Sequence, residues 1–154
     1  RQRIAFAAAQ LDPRTMQRLD GWRKALKAAK RYDKALTYTN KSASSMALGG
    51  QMLAEILKND PEVDAIFFCN DDLAQGALLA AQRLKIKVPQ QLAIVGFNDL
   101  TGSDLIGPGL TTIRTPRAEI GQAAAHMLLA LMREEDVPTP SVDVGYELMV
   151  RGST

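Results

Sequence analysis

The sequence predicts an α/β protein built on a doubly wound parallel sheet, and three observations carry that expectation. Two apolar runs with β-formers at their centres, Ala65-Ile66-Phe67-Phe68-Cys69 and Leu92-Ala93-Ile94-Val95-Gly96-Phe97, read as strands buried on both faces. Between them Leu73, Ala77, Ala80, Ala81 and Leu84 make one helical stripe, so strand, helix and strand follow each other as in a parallel crossover. The 154 residues are 46% hydrophobic with few aromatics, which suffices for one core and excludes a disordered chain.

The other elements repeat this winding. Arg3 to Ala9 reads as a first strand, and Leu11-Asp12-Pro13 as the loop opening a long helix with Met16, Leu19, Trp22, Leu26 and Ala29 on its apolar stripe. Ala35 to Tyr38 is a second strand and Asn40 to Ser45 a polar loop. A helix carrying Met46, Gly49, Leu53, Ile56 and Leu57 follows and is stopped by Asn59-Asp60-Pro61. Asn70 is a good N-cap for the central helix, with Asp71 and Asp72 in the first turn, where free N–H groups favour carboxylates. Pro89 marks the turn before the next strand. Gly-rich Leu100 to Gly109 lacks helical periodicity, Leu110 to Ile113 is a short strand, and Thr115-Pro116 reads as an N-cap with Pro at N1. That helix carries Ile120, Ala124, Met127, Leu128 and Leu131, and Val142 to Val150 makes the last strand pairing.

Several function classes are disfavoured at once. A net charge of +2 with dispersed basic residues does not suggest nucleic-acid binding by this segment. A single Cys permits no internal disulfide and fits a reducing, cytoplasmic setting. No apolar run has transmembrane length, the opening residues lack a signal-peptide pattern, and no initiator Met is present, so a piece of a longer protein is expected. His126 has no partner at metal or triad spacing, and neither Val95-Gly96-Phe97 nor Gly102 to Gly109 fits a phosphate-binding glycine motif. Adjacent Asp71 and Asp72 point apart on a helix and are read as helix-start carboxylates. No enzyme, cofactor or metal is expected.

Polar residues at one edge of the sheet are the candidates for function. In a parallel pair the strand ends at Asn70 and Asn98 reach the same carboxyl edge, where open α/β sheets bind ligands, although Asn70 can equally be a cap and Asn98 a loop residue. Arg14 and Arg18 lie one turn apart beside the first loop. That spacing suits an anionic or polyol ligand, although basic residues on an exposed helix face are more often simply solvated.

The segments NDDLAQGAL, KVPQQLAIVGFND and GLTTIRTP, in this order and spacing, resemble the effector-binding region of LacI/GalR-type transcription regulators, and the resemblance covers nearly the whole chain. Gln10 to Thr15 and Cys69 to Ala74 look most like the subgroup that represses gluconate operons. The resemblance implies a type I periplasmic-binding-protein-like lobe, one half of a two-lobe domain. Residues 1–113 and 137–154 would form the carboxyl-terminal lobe and 114–136 would pack on the other. It implies that Arg18, in Arg18-Leu19-Asp20-Gly21-Trp22, and Asn70 and Asn98 bind a small sugar or sugar acid; Asp12 and Arg14, beside Arg18 at the helix start, are further candidates. It further implies a homodimer through Leu73, Ala77, Asp104, Leu105 and Ile106, with DNA bound only by a separate amino-terminal head. Many relatives have an aromatic where this chain has Lys41-Ser42-Ala43-Ser44, and Asp where it has Asn98; both departures bear on the ligand. The rival expectations are a sugar-binding protein of an ABC importer, which shares the architecture, and a small flavodoxin-like or sugar-phosphate enzyme, against which the missing motifs argue.

Overall fold

The computed structural model describes residues 1–137 and 139–154; Pro138, within the segment assigned above to the returning lobe, lies outside the described residues. The strands are β1 (Ile4–Ala8), β2 (Thr37–Thr39), β3 (Ala65–Phe68), β4 (Ala93–Asn98), β5 (Thr111–Arg114) and β6 (Glu147–Met149). Among the described residues they form one sheet in the order β2-β1-β3-β4-β5-β6, parallel throughout except for antiparallel β6. The α-helices of the described residues are α1 (Pro13–Ala28), α2 (Met46–Asn59), α3 (Asp71–Arg83) and α4 (Arg117–Met132). The strand order reverses direction between β1 and β3, which makes the loops after those two strands the switch point of the sheet.

Consecutive residues of β4 show that helices cover both faces. Phe97 stacks under Arg18 of α1, while Gly96 lies against Asp71 and Ala74 of α3. On the α1 face Phe6 meets Trp22 and Phe67 at centroid distances of 5.7 and 5.5 Å. On the other, α2 and α3 press together at two glycines whose backbones almost touch the facing helix. This double cover is why the central strands read as unbroken apolar runs: Ala5 to Ala9, Ile66, Phe68 and Ile94 are all buried.

Several expectations need correction. The second strand starts at Thr37, because Asp33 caps a 3-10 turn over Lys34–Leu36 and only the residues after it reach β1. Met16 and Ala29 are exposed while Thr15 is buried, so the core stripe of α1 is Thr15, Leu19, Trp22 and Leu26. Thr115 does not cap α4; the cap position is Pro116 and no side chain bonds the first turn. β5 extends through Arg114, paired with Asn98, and the sheet regains the chain at Glu147. The sheet therefore ends at Arg114 on the outgoing side and resumes at Glu147, within the Val142 to Val150 stretch. Among the described residues of α4 none is buried, although the helix carries Ile120, Leu128, Leu129, Leu131 and Met132.

Candidate functional site at the switch point

Strand ends and one helix start converge on a polar concavity of about 190 Å³, lined by Gln10, Asp12, Arg14, Thr15, Arg18, Asn70 and Asn98. All five candidate site residues line it. Pairing of β1 with β3 and of β3 with β4 brings the ends of these three strands side by side, which is how positions from 10 to 98 meet.

Asp12 is the N-cap of α1: Oδ1 accepts from the Thr15 N–H at 2.8 Å and Oδ2 from Arg14 Nη2 at 3.0 Å. The Thr15 N–H, then Arg14, hold its carboxyl below the ordinary value. Arg14 is thus already partnered and largely exposed. Arg18 is the better-fixed cation. Its Nη1 donates to the Cys69 carbonyl at 2.7 Å and its guanidinium lies 3.9 Å above the Phe97 ring, an arrangement that stabilises its position by about 0.5–2 kcal/mol. Burial lowers its pKa from the usual value, yet a guanidinium stays charged at any physiological pH. Beneath it the Cys69 thiol is buried, and burial pushes its pKa up, which makes it inert packing.

Asn70 acts as the cap of α3, its Oδ1 accepting from the Leu73 N–H at 3.2 Å, while Nδ2 donates to Ser44 Oγ at 2.6 Å. One amide hydrogen remains for a ligand. The Ser44 contact ties the 41–45 loop to the site, as does the Gln10 N–H bonded to the Ser42 carbonyl at 2.9 Å. Asn98 ends β4 with a left-handed φ of 116°, turning the chain at the rim. Sequence reasoning left Gln10 and Thr15 out of the site. Gln10, at φ 51°, lies two residues past the end of β1, and its place at a strand's carboxyl end was the available signal.

Two of the proposed dimer residues fail here. Leu73 and Ala77 are 0% exposed, because α3 packs on the sheet and alongside α2 and buries eight of its thirteen residues. They cannot meet a second copy. Asp104 and Leu105 are exposed, Leu105 to 81%, and Ile106 is half-buried. The outward strip of α3 is Leu79, Ala80 and Arg83, which with the C-cap residue Leu84 and with Met46, Ala47 and Gly50 of α2 lines an apolar groove of about 590 Å³.

Asp71 is no mere helix-start carboxylate. Fully buried, its Oδ1 accepts from Thr112 Oγ1 at 2.6 Å and its Oδ2 from the Leu100 N–H at 2.7 Å and Ser103 Oγ at 3.1 Å. It pins the start of α3 to β5 and to the 100–103 loop. Among the described residues no group of three His, Cys, Asp or Glu could hold a metal ion.

The class is therefore an open, doubly wound α/β lobe with a polar concavity where ligands of such sheets bind, and with one apolar helix projecting from it. Comparison with known proteins makes this specific: residues 1–154 match the periplasmic binding protein-like domain, and the chain belongs to that family in the form carried by LacI-family transcription regulators. It is 52% identical over 154 residues to the HTH-type transcriptional regulator GntR of Pseudomonas aeruginosa, covering 100% of this chain and 45% of that one. It is 34% identical over 150 residues to the Escherichia coli HTH-type transcriptional regulator GntR, covering 97% and 45%. The crystal structure of the transcription regulator GntR from Chromobacterium violaceum superposes with a TM-score of 0.97 at 49% identity, covering 99% of this chain and 56% of that one. The chain spans about half the length of these relatives. No helix among the described residues is long and apolar enough to cross a membrane.

Proposed function

We propose that this chain is the carboxyl-terminal effector-binding lobe of a LacI-type DNA-binding repressor and that it senses a small sugar acid of the gluconate kind. The observation that supports this most is Arg18, locked by the Cys69 carbonyl and the Phe97 ring at the rim of the concavity, with the Asn70 and Asn98 amides beside it. A guanidinium held in place can take a carboxylate bidentately, contributing about 1.5–3 kcal/mol per charge-assisted bond, while amides suit hydroxyls. Asp12 and Arg14 neutralise each other, so the ligand's charge falls to Arg18. Ligand sites usually enclose roughly 300–1,000 Å³. A concavity of about 190 Å³ is one wall of such a site, the other wall belonging to the second lobe. Segment 114–136 would pack on that lobe, giving the unburied α4 its bed, and operator DNA would be read by an amino-terminal head in the cytoplasm. The exposed strip of α3 and the 102–109 loop, with Asp104, Leu105 and Ile106, would make the homodimer face. The relatives found are regulators, which favours this reading over an importer's binding protein.

Calorimetry on the full-length regulator, comparing gluconate with an uncharged hexose, tests the ligand. Arg18→Lys should weaken gluconate about ten- to a hundredfold, since an ammonium cannot reproduce the fork. Equal affinity for both ligands, or an Arg18→Gln variant losing both alike, would show that charge is not what the site reads.

A further inference from the structure

Asp99 follows Asn98 and lies outside the concavity, with φ at 52° after Asn98's 116°. Two successive non-glycine residues in left-handed conformations persist only where their surroundings over-determine them. Those surroundings are specific. The Asp99 Oδ2 accepts from Arg114 Nε at 2.8 Å, its Oδ1 from Arg151 Nη2 at 2.8 Å, and its carbonyl from Arg117 Nη2 at 3.3 Å. Its N–H donates to Thr112 Oγ1 at 3.4 Å, and the Thr112 hydroxyl in turn donates to Asp71. Burial raises the Asp99 carboxyl, but hydrogen bonds from Arg151 and Arg114 outweigh it and leave its pKa below the ordinary value.

The partners define a neck. Arg114 is the last residue of β5, Arg117 the first of α4, and Arg151 follows β6, whose first residue, Glu147, also pairs with Arg114 at 3.3 Å. The chain leaves the sheet through Arg114 and re-enters it at Glu147, and the helix between them has no buried residue. Asp99 therefore holds both the outgoing and the returning segment while being bonded covalently to a residue that lines the concavity. Asn70 is likewise followed by an aspartate, Asp71, that turns away from the concavity to grip β5 through Thr112. The Asp99–Arg151 pair is well shielded and so differs from surface pairs of negligible effect: the Asp99 side chain is 10% exposed and that of Arg151 18%.

We infer that Asp99 is a positioning residue: it fixes the orientation of Asn98 relative to the neck, so that displacement of α4 reaches the concavity and occupation of the concavity reaches α4. This rests on the effector-site reading above for its biological meaning, but the coupling of Asn98 to the neck does not.

The test uses full-length regulator and amide hydrogen exchange without ligand, followed by gluconate titration. Arg114→Gln removes the outgoing grip from a half-exposed position outside the concavity, and Asp99→Asn removes the carboxylate itself. Each should speed exchange of amides 97–103 about tenfold, and the double variant should be no faster than Asp99→Asn, as expected for groups in one network. Arg133→Gln, which breaks an exposed pair with Glu135 beyond α4, should leave those amides unchanged. Gluconate should bind Arg114→Gln about tenfold more weakly. Faster exchange confined to 112–117, with 97–103 within twofold of wild type, would overturn the inference. So would an Arg133→Gln variant that loosens 97–103 as much. A wild-type protein that binds no gluconate would sink the effector reading instead, and the exchange pattern would still decide the positioning of Asn98.

Discussion

Gly96 and Tyr38 show how single positions are constrained by partners distant in the chain. A Cβ on Gly96 would stand 2.2 Å from Asp71 Oδ1, inside the hydrogen-bonded cluster that joins α3, β5 and the 100–103 loop. Neither side can yield without breaking bonds to a buried group. Gly96→Ala should therefore destabilise the chain by about 1–3 kcal/mol in urea unfolding; a change below about 0.5 kcal/mol, the usual size at an indifferent site, would mean that the cluster is soft. Tyr38 donates to Asp60 Oδ2 at 2.7 Å, and Asp60 also takes Arg3 Nη2 at 3.0 Å. Burial, then the Asp60 hydrogen bond, pushes the Tyr38 phenol from 10.0 up to about 12. Because the folded pKa lies above the unfolded one, its contribution is complete below pH 10 and fades as pH rises toward 12. Tyr38→Phe should flatten that part of the stability profile relative to wild type, lysine titration being common to both. Identical slopes would separate the phenol from folding.

At the scale of elements, the contact of α2 with α3 is set by absent side chains. A Cβ on Gly49 would meet the Leu73 carbonyl oxygen at 2.0 Å, and one on Gly76 the Met46 carbonyl oxygen at 1.9 Å. Both obstacles are backbone, so the helices would have to separate. Gly76→Ala should cost about 3 kcal/mol, the upper end for overpacking. Gly21→Ala is the control: nothing lies within 4 Å of its Cβ on α1, so the same change should stabilise by roughly 0.5–1 kcal/mol. Equal effects at the two sites would deny the close crossing. The elements themselves were largely legible, since buried parallel strands read as apolar runs and Asn70 sits in the sequence as a cap before a helical stripe. Their partners were not. Nothing near Asp71 says that it faces inward, because the groups that satisfy it lie 29, 32 and 41 residues away. The same limit misassigned Leu73 and Ala77: the resemblance placed them at a dimer face, and only the packed core shows that this side of α3 is internal. The site was legible to the extent that strand ends are. Asn70 and Asn98 follow from pairing of β3 with β4, whereas the locking of Arg18 by Phe97 needs the sheet's third dimension.

For the whole molecule the open question is where α4 finds its partner. Its sixteen residues include none that is buried, yet Leu128, Leu129, Leu131 and Met132 expose apolar surface on it, with Leu131 at 61% and Met132 at 73%. Four exposed large apolar side chains crowded into the last turns of one helix mark an interaction surface rather than the ordinary scatter of single surface leucines. If it is bedded on a second lobe, its leucines should matter only when that lobe is present. Leu128→Gln with Leu131→Gln isolates the effect, since Gln and Leu have nearly the same helix propensity and the helix itself should survive. In the 154-residue chain the pair should shift unfolding free energy by no more than about 0.5 kcal/mol, the usual range for exposed positions. In the full-length regulator each buried leucine contributes about 1.5–3 kcal/mol, so the same pair should destabilise by about 3 kcal/mol or more. Urea unfolding of both lengths, with and without the two substitutions, gives the four free energies needed. A large loss already in the shorter chain would place α4 against this lobe, and no loss in either length would leave its apolar face without a partner in the regulator.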